Sequence, residues 1–576
     1  MTRPPIRTRA LRVTLPVALL LAVLVAGACG GGGVEIADES AEVAEVDAGG
    51  APWFDEVAAA NGIDFAHVSG ADGRYLMPEI MTTGAALVDV DGDGDLDAYL
   101  VQAGGAVDAD PATREPNRLY LNRGDGTFED ATDGSGADDR GYGMGVTTGD
   151  YDRDGDEDLY VTNLGANALL RNDGGGRFTD VTATAGVAGK RWSASAAFVD
   201  ADADGDLDLF VTNYVYWSVE SELVCRAPQG GRTYCSPKSY KAPAPDAYFE
   251  NLGDGTFTDA SEQVGLREAF GNGLGVLCAD FDGDGRPEIF VANDGTPNQL
   301  WDPQPDGTFR ETALRTGCAV DDQGRAKAGM GVAAADIDAD GDEDLLVVNL
   351  TGEDDSFYRN DGGQFVDRTP AMGLALVSRR TTRFGVALRD FDHDGLLDLF
   401  HANGRVTQPA VAPGPDAFAE ENTVLRGLAN GRFEEVLPRG GVRPPLVATS
   451  RAAAFGDVDG DGDVDVLICN KDGRAHLLRN VAASSVGRGE RWAALDLRLA
   501  SGAAALGASV DVTIGGRTTH HEVRATESYC SASSTVLHLG LGEVEAIDAV
   551  QVRWPDGTTT STERLDAGAA HRITQE

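Results

Sequence analysis

Residues 89 to 97 read Asp89-Val90-Asp91-Gly92-Asp93-Gly94-Asp95-Leu96-Asp97. Five carboxylates in nine residues repel one another, and a hard cation with oxygen ligands relieves that repulsion. Side chains at positions 1, 3, 5 and 9, with the main-chain carbonyl of position 7, can surround one ion. Glycine at position 6 permits the sharp turn. This is the ligand logic of calcium loops, and a set of about six or seven rigid protein oxygens suits Ca²⁺ better than the smaller Mg²⁺. The segment is not an EF-hand: its flanks are strand-like, and its last carboxylate comes at position 9.

The pattern D-x-D-x-D-G-x-x-[DE] recurs seven times, starting at Asp89, Asp150, Asp200, Asp280, Asp336, Asp390 and Asp457. Five residues upstream of each stands a small residue: Gly84, Gly145, Ser195, Gly275, Gly331, Gly385 or Ala452. Five residues past position 9 stands an amide, such as Gln102, Asn163 or Asn470. Short apolar runs lie between, with the β-branched and aromatic content of strands. A Phe-x-acid element follows each of the first six loops, from Phe128-x-Asp130 to Phe433-x-Glu435. The seventh loop lacks one, but Phe54-x-Glu56 precedes the first. That shift is what a ring closed by its own N-terminal strand requires, and it argues against an open β-solenoid. Roughly sixty residues per repeat fit four strands with turns, and such sheets bury their faces by stacking around an axis. The expected fold is all-β: a seven-bladed β-propeller over residues 52–480, with the small residues on its crowded innermost strands, followed by a small β-sandwich-like domain over 487–576.

The candidate metal ligands are therefore Asp89, Asp91, Asp93, Asp95 and Asp97 in loop one; Asp150, Asp152, Asp154, Asp156 and Asp158 in loop two; and Asp200, Asp202, Asp204, Asp206 and Asp208 in loop three. Loop four supplies Asp280, Asp282, Asp284, Arg286 and Glu288; loop five Asp336, Asp338, Asp340, Asp342 and Asp344. Loop six supplies Asp390, Asp392, Asp394, Leu396 and Asp398, and loop seven Asp457, Asp459, Asp461, Asp463 and Asp465. Position 7 varies, as Arg286 and Leu396 show, which suits a carbonyl ligand. Up to seven Ca²⁺ are expected, and their equivalence reads as structural rather than catalytic.

These repeats resemble the FG-GAP repeats of integrin α-chain propellers and the related VCBS repeats of bacterial surface proteins. Further on, Gly507-Ala508-Ser509-Val510, Ser528-Tyr529-Cys530-Ser531, His538-Leu539-Gly540-Leu541-Gly542 and Val552-Arg553-Trp554-Pro555-Asp556-Gly557 resemble the ASPIC/UnbV domain, found after such propellers in the cartilage acidic protein family and its bacterial relatives. The insertion with Cys225 and Tyr234-Cys235-Ser236-Pro237 is similar to that family too. The resemblance implies a secreted or surface calcium-binding protein rather than a known reaction. From the residues alone the C-terminal region reads as a separate small all-β domain with no obvious site. Its adjacent His520 and His521 face opposite sides of a strand and cannot share a metal.

The chain has 576 residues and a formal net charge of −47. That acid excess argues against a nucleic-acid or anionic-membrane partner, which would need clustered Lys and Arg. Residues 1–28 read as an export signal: Arg3, Arg7, Arg9 and Arg12 precede an apolar run from Val13 to Val25. Ala26-Gly27-Ala28-Cys29 resembles a bacterial lipobox, which implies a lipid on Cys29 and a cell-envelope lipoprotein held to the membrane by that anchor alone. Residues 29–51, glycine-rich and then acidic, read as a flexible tether. Export permits disulfides. Cys225 and Cys235 flank a short polar loop and are candidates for a local bridge; Cys278 and Cys469 lie in apolar strand-like runs and read as buried thiols; the pairing of Cys318 and Cys530 is open.

No HExxH, GxSxG or Gly-rich phosphate loop is present, and the chain reads as a non-enzyme. The expected function is an extracellular binding or adhesion module for a protein or glycan. A polysaccharide lyase or hydrolase on the same scaffold, or a purely structural envelope component, are the alternatives. The 80-residue interval between the starts of loops three and four concentrates aromatic and basic residues, and Tyr216, Trp217, Lys238 and Tyr240 are the candidate ligand anchors. Packing of the insertion is the competing role for those aromatics. Arg123-Gly124-Asp125 spells an integrin-recognition tripeptide but sits in the recurrent turn that reappears at Asn251–Phe257, and is read as a turn.

Overall fold

The computed structural model describes residues 50–227, 230–409, 414–489 and 491–576. The export signal, Cys29 and nearly all of the tether lie outside them. Seven four-stranded antiparallel meanders carry the seven acidic loops. The first runs through Gly84–Val88, Asp97–Val101, Arg118–Asn122 and Phe128–Asp130. In each meander the acidic loop joins the first strand to the second, and the Phe-x-acid element lies at or beside the fourth. The innermost strands pack side by side in cyclic order, and Ser450–Gly456 returns against Gly84–Val88. The last meander takes its outer strand from the start of the chain: Phe54–Glu56 pairs with His476–Asn480, Phe54 opposite Asn480. The shift of one element in the sequence is this closure.

Crowding at the axis explains the small residues upstream of each loop. A Cβ on Gly145 would stand 2.7 Å from Ala194 O, and one on Gly331 2.0 Å from Phe384 O. Several innermost strands also carry a register shift near their start, as at Ser193/Ala196 and Gly273/Val276, which adds local twist where the strands converge.

The C-terminal region is not separate in space. The described residues from 50 onward form one compact unit. Its four-stranded sheet (Arg517–Glu522, Ser509–Ile514, Ala546–Arg553, Thr559–Asp566) and three-stranded sheet (Leu537–Gly540, Trp492–Arg498, Ala569–Thr574) bury Val510, Val512, Leu495 and Ile547 in a core continuous with the first three meanders. Between the sheets the chain leaves as a finger that enters the propeller axis. Ser531–Ala532 pairs in parallel with Ala85–Ala86. Ser528 exchanges backbone hydrogen bonds with Val332, Cys530 O accepts from Val146 N, and Ser534 N donates to Phe455 O. Ser528 Oγ accepts from Val386 N at 3.0 Å, Ser195 Oγ accepts from Cys530 N at 3.2 Å, and Tyr529 OH reaches Met81 O at 2.9 Å. The finger thus satisfies inner-edge backbone groups that would otherwise be buried unpaired. A one-dimensional reading sees only another all-β segment here, because the partners lie hundreds of residues away.

Phe54 is 1% exposed, with edge-on contacts to Phe391 at 5.5 Å and Phe400 at 6.0 Å. Phe54→Ala removes the apolar seal of the closing strand and should cost about 3–5 kcal/mol. Urea unfolding of the variant beside the wild type checks this; a midpoint unchanged within error would mean that the closure is not stability-determining.

Candidate metal centres

Every acidic loop is wound by its own side chains. Asp89 Oδ1 accepts from Gly92 N at 2.8 Å and Oδ2 from Gly94 N at 3.0 Å. Asp91 and Asp93 accept from the N–H two residues on. Position 1 does the same in loop two, where Asp150 accepts from Asp154 N and Gly155 N, and in loop seven, where Asp457 accepts from Gly460 N and Gly462 N. The glycine at position 6 is needed for its conformation as well as its size: Gly94, Gly155 and Gly341 have φ of 98–99°. Position 4 is left-handed as well. Arg153, Ala203, Ala339 and His393 hold φ of 61°, 60°, 59° and 55° there without being glycine. Strain kept at one position of successive loops is a mark of a functional geometry, and the motif pattern, silent at position 4, did not reveal it.

Position 9 anchors the loop to the sheet. Asp97 Oδ2 accepts from Val90 N at 3.0 Å and Oδ1 from Asn122 N at 2.8 Å. Asp158, Asp208, Asp344, Asp398 and Asp465 are held by the equivalent pair of donors, and Glu288 by Phe281 N. Where the third strand ends in Asn, its side chain staples neighbouring meanders. Asn122 Nδ2 donates to Val458 O, Asn172 to Val90 O, Asn251 to Tyr151 O, Asn360 to Phe281 O and Asn480 to Phe391 O. The Asn that recurs before four of the Gly-rich turns, at Asn122, Asn172, Asn251 and Asn360, was the available sequence signal for this staple.

Carboxylate oxygens of Asp89, Asp91 and Asp97 converge within 4.8 Å of one another, as do those of Asp150, Asp152 and Asp158, and of Asp280, Asp282 and Glu288. In loops three and five the converging sets are Asp200, Asp202, Asp204 and Asp336, Asp338, Asp340. Asp152 Oδ1, Asp200 Oδ1, Asp280 Oδ1 and Asp459 Oδ1 are buried with no hydrogen-bond partner. Burial pushes Asp97 up to about 7, Asp344 to about 8, and Asp158 and Glu288 to about 9. Converging, orphaned and desolvated carboxylates fit a divalent cation, which would hold them ionised. At position 7, Arg286 instead pairs with Asp284 and donates to Pro303 O, and the Leu396 side chain offers no ligand atom.

The C-terminal sheets cover these loops. His520 N donates to Asp336 Oδ2 at 3.0 Å, Glu522 Oε1 accepts from Asp280 N at 2.9 Å, and Gly542 N donates to His393 O. His520 pairs with Asp511 while His521 meets Thr519 Oγ1, so the two rings do not share a ligand. A cavity of about 390 Å³ lies between loops five and six and this domain, lined by Arg389, His521, Arg524 and His538.

The insertion sits at the opposite ends of the strands. A disulfide joins Cys225 and Cys235, whereas Cys278, Cys318, Cys469 and Cys530 are free. Trp217 Nε1 donates to Glu222 Oε2 at 2.7 Å and Tyr240 OH to Glu222 Oε1 at 2.6 Å, and Trp217 lies edge-on to Trp192. These two aromatics shape the insertion. Tyr216 is 53% exposed, and Leu223, Val224 and Lys238 of the same insertion are exposed as well. In the tripeptide turn, Arg123 pairs with Glu129 at 2.6 Å and Asp125 accepts from Thr127, the local bonding of a turn.

Among the described residues no helix is long and apolar enough to cross a membrane. Residues 89–161, 150–211, 239–291, 280–347 and 336–401 match the FG-GAP-like repeat, and residues 499–576 match the ASPIC and UnbV family. Cartilage acidic protein 1 of Xenopus tropicalis is 30% identical over 317 residues, 54% of this chain and 46% of that protein. The Homo sapiens protein is 27% identical over 341 residues, 57% of this chain and 49% of its own length. The chain thus spans about half the length of the curated relatives it matches. The solved structure of an Agrocybe aegerita lectin that recognises non-reducing terminal N-acetylglucosamine is similar at TM-score 0.35 and 16% identity, over 68% of this chain and 86% of the lectin. The FG-GAP propeller implies a binding or scaffold role. The repeats and the domain that follows them make the chain a member of the FG-GAP-repeat proteins that carry a C-terminal ASPIC/UnbV domain.

Proposed function

We propose that this chain is an exported, calcium-stabilised, non-catalytic binding module that meets an acidic glycan or protein on the face away from its acidic loops. The observation that carries the reading is that the insertion exposes Tyr216, Leu223 and Val224 together with Arg226, Arg232, Lys238 and Lys241, in a chain of net charge −47. The C-terminal sheets occupy the loop face, so the insertion is the built projection left for a partner. Exposed apolar and basic groups of this kind suit a ligand with acidic groups and apolar faces. The Cys225–Cys235 disulfide supports an oxidising compartment. A lipid on Cys29 would hold the module at a membrane surface.

Calcium would be held at positions 1, 3, 5 and 9 of the loops, with the position 7 carbonyl. It would supply positive charge where buried carboxylates otherwise take up protons, and so fix the geometry of the meanders.

Two measurements test this reading. Incubated in calcium with sulfated, uronic-acid and neutral polysaccharides, the protein should co-elute with an anionic polymer of unchanged length on size exclusion. Tyr216→Ala with Lys238→Ala should weaken that binding by about tenfold or more and leave melting in calcium unchanged. Shortened polymer would replace the reading with an enzyme. The second measurement is melting against pH in chelator. Asp residues titrate near 3.9 in the unfolded chain, whereas Asp97 and Asp208 rise to about 7 and Asp344 to about 8 in the fold. The metal-free fold therefore binds more protons than the unfolded chain across that window, and its stability falls as pH rises. Melting in chelator should be higher near pH 5 than near pH 8, and calcium should abolish or reverse the trend. A melting curve indifferent to calcium at pH 8 would sink the calcium part.

A further inference from the structure

We infer that loop six takes no calcium, because the protein's own Arg426 occupies the cation position there. The inference rests on the calcium reading of the other loops and sharpens it by assigning one loop an internal guanidinium instead of a metal.

Loop six departs from its siblings at three places. Position 7 is Leu396, so a carboxylate present in five of the loops is missing. The stapling Asn is replaced by Gly427, where a Cβ would stand 2.2 Å from Leu397 O. Beside that glycine, Arg426 turns back into the loop. Its Nη2 lies 2.9 Å from Asp392 Oδ2 and 2.6 Å from Asp394 Oδ2, bridging positions 3 and 5. Arg488, from the segment leading into the C-terminal sheets, adds a second guanidinium 3.3 Å from Asp392 Oδ2.

Other loops also meet guanidinium groups, as Arg286 pairs with Asp284 in loop four and Arg553 stands 3.7 Å from Asp280, but there each group meets a single ligand-position carboxylate. Arg153 stands 3.6 Å from Asp206, Arg359 3.5 Å from Asp338 and Arg479 4.0 Å from Asp459, each touching one ligand-position carboxylate. Their side chains are roughly two-fifths to one-half exposed, and Arg426, at 39%, is as exposed as they are, so the difference lies in its bridging of two carboxylates. In loop six the bridged carboxylates are buried, at 6% and 11% exposure. Calcium needs its oxygens at about 2.3–2.6 Å and takes six to eight of them. A nitrogen already shared between the position 3 and position 5 oxygens stands where that ion would bind. Asp390, Asp394 Oδ1 and Asp398 accept from loop and strand N–H groups as their counterparts do in the other loops, and Asp392 Oδ1 has no partner, so what sets loop six apart is the bridging nitrogen itself. Two guanidinium groups set against four carboxylates do the neutralising that calcium does elsewhere. A planar guanidinium is suited to this, being permanently charged and able to donate to two carboxylates at once.

The test counts bound calcium per chain by elemental analysis after equilibrium dialysis, with melting in chelator as the second readout. The wild type should bind no more than six ions. Asp93→Asn, in loop one, should lower the count by one, and Asp394→Asn should leave it unchanged. Arg426→Gln should raise the count by one and melt lower than wild type in chelator, with saturating calcium closing the gap. A wild-type count of seven, or loss of one ion in Asp394→Asn, would overturn the inference even if Arg426→Gln does not fold. Should the wild type bind none, the calcium reading itself fails, and Asp93→Asn will then behave as Asp394→Asn does.

Discussion

The rest of this molecule depends on one buried carboxylate per repeat. Asp97 and its counterparts sit at the start of the second strand, and most accept one N–H from the loop and one from the end of the third strand. That pair of bonds fixes where the first strand turns and where the third strand stops. A carboxylate with that much burial is costly to keep ionised without compensation. The two backbone donors supply part of it, and the acidic winding of the loop presents the rest as a site for positive charge. The Asn that donates its N–H to this carboxylate also reaches into the next meander, so loop geometry and blade-to-blade packing share a single residue.

Much of this was legible because repetition in register multiplies a weak signal. One D-x-D-x-D-G segment says little. Seven with a small residue upstream and an amide downstream define strands, loop and axis together. Closure was readable from the displaced Phe54 for the same reason. What could not be read were contacts whose partners share no local pattern. Nothing near Ser528, Tyr529 or Cys530 announces that they enter a channel built from residues 84 to 456. The aromatics of the insertion were visible as a cluster, but Glu222, which gathers Trp217 and Tyr240, stands out only once the chain is folded. Arg426 was likewise hidden, because the reading stopped at the loop and the guanidinium arrives from the third strand.

The C-terminal domain changes how the propeller should be regarded. Its sheets share a core with three meanders, its finger bonds to several innermost strands, and its backbone touches the acidic loops. Salt links reinforce the seam: Arg524 pairs with Glu343 and Arg389 with Glu527. Both pairs join the finger to loops or strands of the fifth and sixth meanders, with their carboxylates almost fully buried. Breaking one partner of such a pair leaves an uncompensated buried charge, which is why the seam resists separation.

The closing strand has a consequence for how the chain is made. Phe54 pairs with Asn480, more than four hundred residues later. At a synthesis rate of about 5–20 residues per second, the interval between the two is roughly twenty seconds to well over a minute. Through that time the first segment has no partner, and each newly completed meander leaves an apolar flank and an open hydrogen-bonding edge uncovered. Exposed edges of that kind recruit other chains, and pairing across such a span is slow because loop closure must precede any gain in contacts. Charge is the countermeasure that the composition already contains: nascent copies of so acidic a chain repel one another while they wait. An acid content read first as a surface for cations thus also works as protection during assembly.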